Sequence, residues 1–139
     1  SYQLMVGGVP TGLAQLGTGS ALTFTSVTIA GTYTVQATII ATGCVRLMTG
    51  TAVVVVNPLP TANLVVGGGN YCAGGAGVHV GLNGSVSGIS YQTYVAGVMI
   101  GSPMAGTGLA LDFGAFTTAG AYTVVATNTI TGCTNNMTG

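Results

Sequence analysis

The chain has 139 residues, of which one is basic, one is acidic and one is histidine; its net charge is zero and 48% of its residues are hydrophobic. Globular chains average about 25% charged residues, and the 1% found here excludes a nucleic-acid binder, which needs a basic patch to displace counterions from phosphates. The abundance of Val, Ile, Leu and Thr argues against disorder, and no apolar run approaches the roughly 20 residues of a membrane-crossing helix: the longest candidate, Ala52 to Val56, stops at Asn57-Pro58.

Apolar residues recur with a period of 2, and β-branched types dominate, so the elements read as strands. In chain order they are predicted near Tyr2–Val6, Ala21–Thr25, Thr32–Thr38 and Thr51–Val56, then Asn63–Val66, Val78–Leu82, Tyr91–Val95, Leu109–Phe113 and Ala121–Thr127. Between them lie Gly7-Gly8, Gly67-Gly68-Gly69, Gly74-Gly75 and Asn83-Gly84, which suit turns because these residues accept positive φ. Helices are nearly excluded by the density of glycine, proline and β-branched residues. Many short strands at this spacing predict an all-β chain of β-sandwich type. A surface so poor in charge does little to oppose association, so the chain is expected to be part of something larger. Ser1-Tyr2-Gln3 is neither basic nor apolar, and an export signal, if used, is expected upstream.

Sliding the sequence against itself gives one clear match, at an offset of 89. Ser1-Tyr2-Gln3 returns as Ser90-Tyr91-Gln92, Gly17-Thr18-Gly19 as Gly106-Thr107-Gly108, and Thr42-Gly43-Cys44 as Thr131-Gly132-Cys133. Ala30-Gly31-Thr32-Tyr33-Thr34-Val35 returns as Ala119-Gly120-Ala121-Tyr122-Thr123-Val124, and Met48-Thr49-Gly50 as Met137-Thr138-Gly139. Residues 1–50 align with 90–139 without a gap, with 27 identities. An internal period of this kind signals a repeat architecture. Two prolines in Asn57-Pro58-Leu59-Pro60-Thr61 cannot continue a central strand. The expected organisation is therefore the later part of one unit at 1–57, a proline linker at 58–61, and the next unit at 62–139 without its last strand. On this reading the chain is a window on a longer array, cut within a domain, and both units present open sheet edges. Tyr2–Val6 and Ala121–Thr127 are expected to abut strands from outside the chain.

The segments around Tyr33 and Tyr122 resemble the tyrosine corner of an immunoglobulin-type sandwich. Val78, Val80 and Leu82 facing Tyr122, Val124 and Ala126 would form the core. Together with Tyr71-Cys72-Ala73-Gly74-Gly75, the Ser-Tyr-Gln and Gly-Thr-Gly runs, Thr131-Gly132-Cys133 and the Asn-Pro-Leu-Pro linker, this pattern resembles the tandem Ig-like repeats of very large surface proteins of Bacteroidota. Those are adhesins of the kind exported by the type IX route, gliding-motility adhesins among them. The resemblance spans the whole chain. It implies an extracellular, cell-surface location and a structural role as a fibre or stalk unit that associates with neighbouring repeats or further copies of itself. The alternative is a module that binds carbohydrate or another cell's surface, with Tyr2, Tyr91 and Tyr94 as candidate exposed aromatics.

Because Cys44 and Cys133 are equivalent by the repeat, the expected intradomain disulfide joins Cys72 to Cys133 and leaves Cys44 to pair outside the chain. Catalysis is not expected. His79 and Asp112 could nominally belong to a triad with a serine, yet Asp112 stands where the other unit has Thr23, and His79 between Val78 and Val80 is expected to face outward. Acid–base work needs paired titratable groups of separated pKa, which this composition hardly supplies. Metal sites are not expected either, since one carboxylate cannot hold calcium and too few Cys and His remain for zinc. No cofactor is implied: the glycine clusters lack the following lysine and helix of a phosphate loop. Asn83-Gly84-Ser85 and Asn136-Met137-Thr138 match the glycosylation acceptor pattern as chance would allow in so Asn- and Thr-rich a chain. Without lysine no Lys–Asn isopeptide bond can form.

Overall fold

The computed structural model describes residues 1–139. The chain is all-β, with twelve strands and no helix: β1 Tyr2–Val6, β2 Val9–Gln15, β3 Gly31–Thr38, β4 Val45–Leu47, β5 Ala52–Val54, β6 Val65–Gly67, β7 Val78–Leu82, β8 Ile89–Val95, β9 Val98–Ala105, β10 Leu111–Phe116, β11 Tyr122–Asn128 and β12 Thr134–Asn136. It divides into two compact units, Ser1–Val56 and Asn57–Gly139.

The first unit is a single antiparallel sheet ordered β2-β1-β3-β4, with β5 also paired to β3. The second contains two antiparallel sheets, β10-β7-β6 and β12-β11-β8-β9, consistent with a β-sandwich. Alternation places one face of each strand inward: along β8, Ile89, Tyr91, Thr93 and Val95 are buried while the residues between them are half-exposed. Leu82 and Leu111 from one sheet meet Tyr91, Val124 and Ala126 from the other, with Ile89 and Met137 closing the same core. Each fully buried apolar side chain contributes about 1.5–3 kcal/mol, so this cluster is the main source of the unit's stability. Of the expected core positions, Val80, Leu82, Val124 and Ala126 are buried, whereas Val78 and Tyr122 are half-buried.

Both units use one strand register. β1 pairs β2 through Tyr2↔Gln15, Leu4↔Thr11, Met5↔Pro10 and Val6↔Val9. Adding 89 to every number gives the β8–β9 register, Tyr91↔Met104, Thr93↔Ile100, Tyr94↔Met99 and Val95↔Val98. The same offset carries the β1–β3 ladder onto β8–β11 and β3–β4 onto β11–β12. The two-residue hairpin turns also correspond, Gly7-Gly8 and Ala96-Gly97, with positive φ at all four residues, as hairpins of matching twist require. A Cβ on Gly31 or on Gly120 would stand 2.7 Å from a methyl of Val6 or Val95, so neither position has room for a side chain.

The structure corrects three expectations about the strands. Residues 21–25 form no strand, although their counterpart, β10, does. β10 is held by β7 through Leu111↔Leu82, Asp112↔Gly81, Ala115↔His79 and Phe116↔Val78, and no strand of the first unit occupies that place. Leu22 and Phe24 alternate correctly, yet a strand exists only where a ladder partner accepts its hydrogen bonds. The second correction concerns the edges: β1 lies between β2 and β3, and β11 between β8 and β12, so Tyr2–Val6 and Ala121–Thr127 are central strands. The third is that β2, β4, β9 and β12 are strands the periodicity did not indicate.

Candidate functional site

The most distinctive surface is an open groove on the inner face of the first unit. Tyr2, Leu22, Phe24, Val35 and Met48 border a space of about 490 Å³, and Phe24 also borders an adjoining space of about 580 Å³ with Leu4, Ile29 and Tyr33. In the second unit the equivalents of the first five are Tyr91, Leu111, Phe113, Val124 and Met137, which are the core cluster or pack directly against it. The difference is what covers them. There β7 and β6 supply Leu82 and Val65, and Ile89 adds a third apolar side chain. Residues 1–56 contain no strand in the place of β6 or β7, and Met48 is 40% exposed where Met137 is 6% exposed.

His79 and Asp112 lie on adjacent strands of the second unit, and the His79 Nδ1 stands 2.8 Å from the Asp112 Oδ2. Both side chains are well exposed, at 68% and 62%; His79 does face outward. The Gly114 amide donates to Asp112 Oδ1 at 2.8 Å. That bond, and after it the contact with His79, holds the Asp112 carboxyl below its ordinary value. The pair is open to solvent, and a contact so exposed is worth little net energy. No three His, Cys, Asp or Glu side chains gather into a metal-binding group.

The cysteines are not brought together. All three are free, Cys44 and Cys72 exposed and Cys133 half-buried. Cys72 sits in a turn closed by the Gly75 amide, next to Tyr71, whose hydroxyl donates to the Thr117 carbonyl near the start of β11. Cys133 follows the other end of β11, where its carbonyl accepts from the Asn128 amide. The 7 residues of β11 span roughly 20 Å at about 3.3 Å per residue, far beyond the approximately 7 Å that a disulfide bridges between Cα atoms. The expected Cys72–Cys133 bond is not formed in this structure: Cys72 lies in a turn near the start of β11 and Cys133 beyond its end.

The tyrosines divide by role. Tyr33 donates to the Ile29 carbonyl at 2.8 Å and Tyr122 to the Thr118 carbonyl at 2.6 Å, each reaching four residues back. Tyr91 is completely buried and its hydroxyl accepts from the Val86 amide, which removes it from the candidate exposed aromatics; Tyr2 and Tyr94 are half-buried. Sequence reasoning missed Gln3 and Gln92. Their amides fill the irregular stretch of each hairpin, where the register shifts between Tyr2 and Leu4 and between Tyr91 and Thr93. The available signal was the joint return of Gln3 and Gly12 as Gln92 and Gly101.

No family model matches the sequence, and no curated protein or solved structure matches it.

Proposed function

We propose that the chain is a stretch of tandem Ig-like β-sandwich units from an extracellular, adhesin-type fibre or stalk of a Bacteroidota cell surface, with a structural and not a catalytic task. The observation that carries this reading is the 89-residue offset common to sequence identities and hydrogen-bond registers. The tyrosine hydroxyls bonded four residues back support the Ig-like assignment, because a tyrosine corner makes that contact. Uncharged Thr, Ser, Asn and Gln can pair between chains without the desolvation cost of charges, which suits lateral packing with neighbouring repeats or further copies. The glycan-binding alternative draws less support, since Tyr91 is buried in the core.

Light scattering and electron microscopy of the purified chain from low to molar salt test this reading. Association that persists across the series is expected, because there is little ionic attraction to screen. A monodisperse, isolated monomer in every condition would contradict it.

A further inference from the structure

We infer that the outer edges of β2 and β9 are guarded against strand addition, β2 by Pro10 and the slip at Gly12, β9 by the slip at Gly101 and Pro103, so that copies of this chain associate without continuing one another's sheets. The second half of the inference rests on the association proposed above and narrows the surface that can carry it.

β2 and β9 are edge strands of their sheets. The 139 residues exceed one 89-residue period, so each strand of the repeat is present at least once. β5 pairs β3, β6 pairs β7 and β7 pairs β10; in neither unit does a strand lie outside β2 or β9. Such an edge templates pairing with another chain, and proteins commonly block it with charge, above all lysine. That means is missing here: the chain has no lysine, and Arg46 and Asp112 stand on β4 and β10. The edges are also apolar, with Leu13 89% exposed and Val98 and Met99 66% each.

Proline and backbone irregularity take the place of charge. In a two-residue hairpin the pair flanking the turn exchanges hydrogen bonds and the next pair does not. Pro10, opposite Met5 and next to the Val6–Val9 pair, therefore turns its backbone to the open side, where its missing N–H leaves no donor. Beyond it the ladder slips between Tyr2 and Leu4, with Gly12 at a φ of 65°. In β9 Met99, opposite Tyr94, has the place of Pro10 and points its N–H outward by the same alternation. The ladder then slips at Gly101, whose φ is 70°, and Pro103 follows, so a newcomer meets regular backbone only over residues 98–100. Ala14 stands where the second unit has Pro103: each edge holds one proline, at different places, and what recurs is the device. The remaining edges are limited too. β10 carries the chain's only acid and breaks its ladder between Asp112 and Ala115, around Gly114 at a φ of 95°. β4, β5, β6 and β12 have three residues each, too short to template a partner.

The test compares the full 139-residue chain with a Pro10→Val/Pro103→Val double variant; both positions are exposed, and valine suits a strand. Light scattering, thioflavin fluorescence and amide exchange are followed at one protein concentration. Wild type is expected to bind no thioflavin, and its Met99 amide to exchange as fast in associated material as in dilute chain. The double variant is expected to form thioflavin-binding assemblies in which the amides at positions 10 and 99 lose that fast exchange. Adding Leu13→Lys and Met99→Lys to the double variant should abolish these assemblies, because charge then guards the edges. A double variant that behaves as wild type, or assemblies indifferent to the lysines, would overturn the inference. So would thioflavin binding without protection at positions 10 and 99, which is how a mere folding defect would show itself. Wild-type association that slows the Met99 amide removes this inference alone. A wild type that never associates removes the fibre reading, while the double variant still tests the edges.

Discussion

Gln3 and Gln92, 89 positions apart, make the same three contacts. The Gln3 Nε2 donates to the carbonyls of Leu4, Thr11 and Gly12 at 3.0, 2.8 and 3.2 Å; the Gln92 Nε2 donates to those of Thr93, Ile100 and Gly101 at 3.0, 3.0 and 3.3 Å. At both places the ladder slips and the neighbouring glycine takes positive φ, 65° at Gly12 and 70° at Gly101. A bulge leaves backbone groups unpaired, and a buried carbonyl without a donor is costly. One side-chain amide satisfies the group in each unit.

Gln92→Leu should therefore destabilise the second unit by about 1–3 kcal/mol, the cost of leaving such acceptors unpaired. Urea unfolding measures it. A loss well under 0.5 kcal/mol would show that water serves these carbonyls equally well.

Gly106 and Gly17 are equivalent in sequence but not in surroundings. A Cβ on Gly106 would collide with the Val86 carbonyl, whereas on Gly17 it would meet only the Tyr2 ring edge, at 2.9 Å. Gly106→Ala should cost about 1–3 kcal/mol, as overpacking does, and Gly17→Ala clearly less, because a ring can turn aside and a backbone strap cannot. Equal losses in thermal unfolding would contradict this.

The limits of sequence reading show at particular residues. β1, β3, β7, β8 and β11 were legible because their apolar residues alternate against a buried face. β2 and β9 were not: Pro10 and Gly12 interrupt one, Gly101 and Pro103 the other, and proline and glycine ordinarily demote a strand. Residues 21–25 show the opposite failure, since a correct local pattern does not supply a partner strand. The same holds for the cysteines. Position in a repeat makes Cys44 and Cys133 equivalent but does not say which end of β11 Cys72 occupies. The groove was illegible for a related reason, because an uncovered face is defined by what does not pack on it.

Asp112 has a folded-state pKa below its ordinary value, through the Gly114 amide first and His79 second. A depressed carboxyl stabilises the fold above its unfolded pKa, about 3.9, and that contribution disappears as pH falls through the lower folded value. Wild type should exceed Asp112→Asn in stability at neutral pH, with the difference vanishing in strong acid. A difference independent of pH would show that the carboxylate charge plays no part.

Thiol titration of the native chain should count three reactive cysteines, Cys44 and Cys72 fast and Cys133 slower because it is half-buried. Peptide mapping under non-reducing conditions should give no Cys72–Cys133 linkage. Recovery of that linkage from folded protein would require the loop carrying Cys72 to lie at the other end of β11.

One strand register serves both units. Cross-strand proton contacts by NMR address it most directly. Leu4 is expected opposite Val35 and Val6 opposite Tyr33 in the first unit, with Thr93 opposite Val124 and Val95 opposite Tyr122 in the second. A slip of a single residue in either ladder would turn its inward face outward and would overturn the shared register.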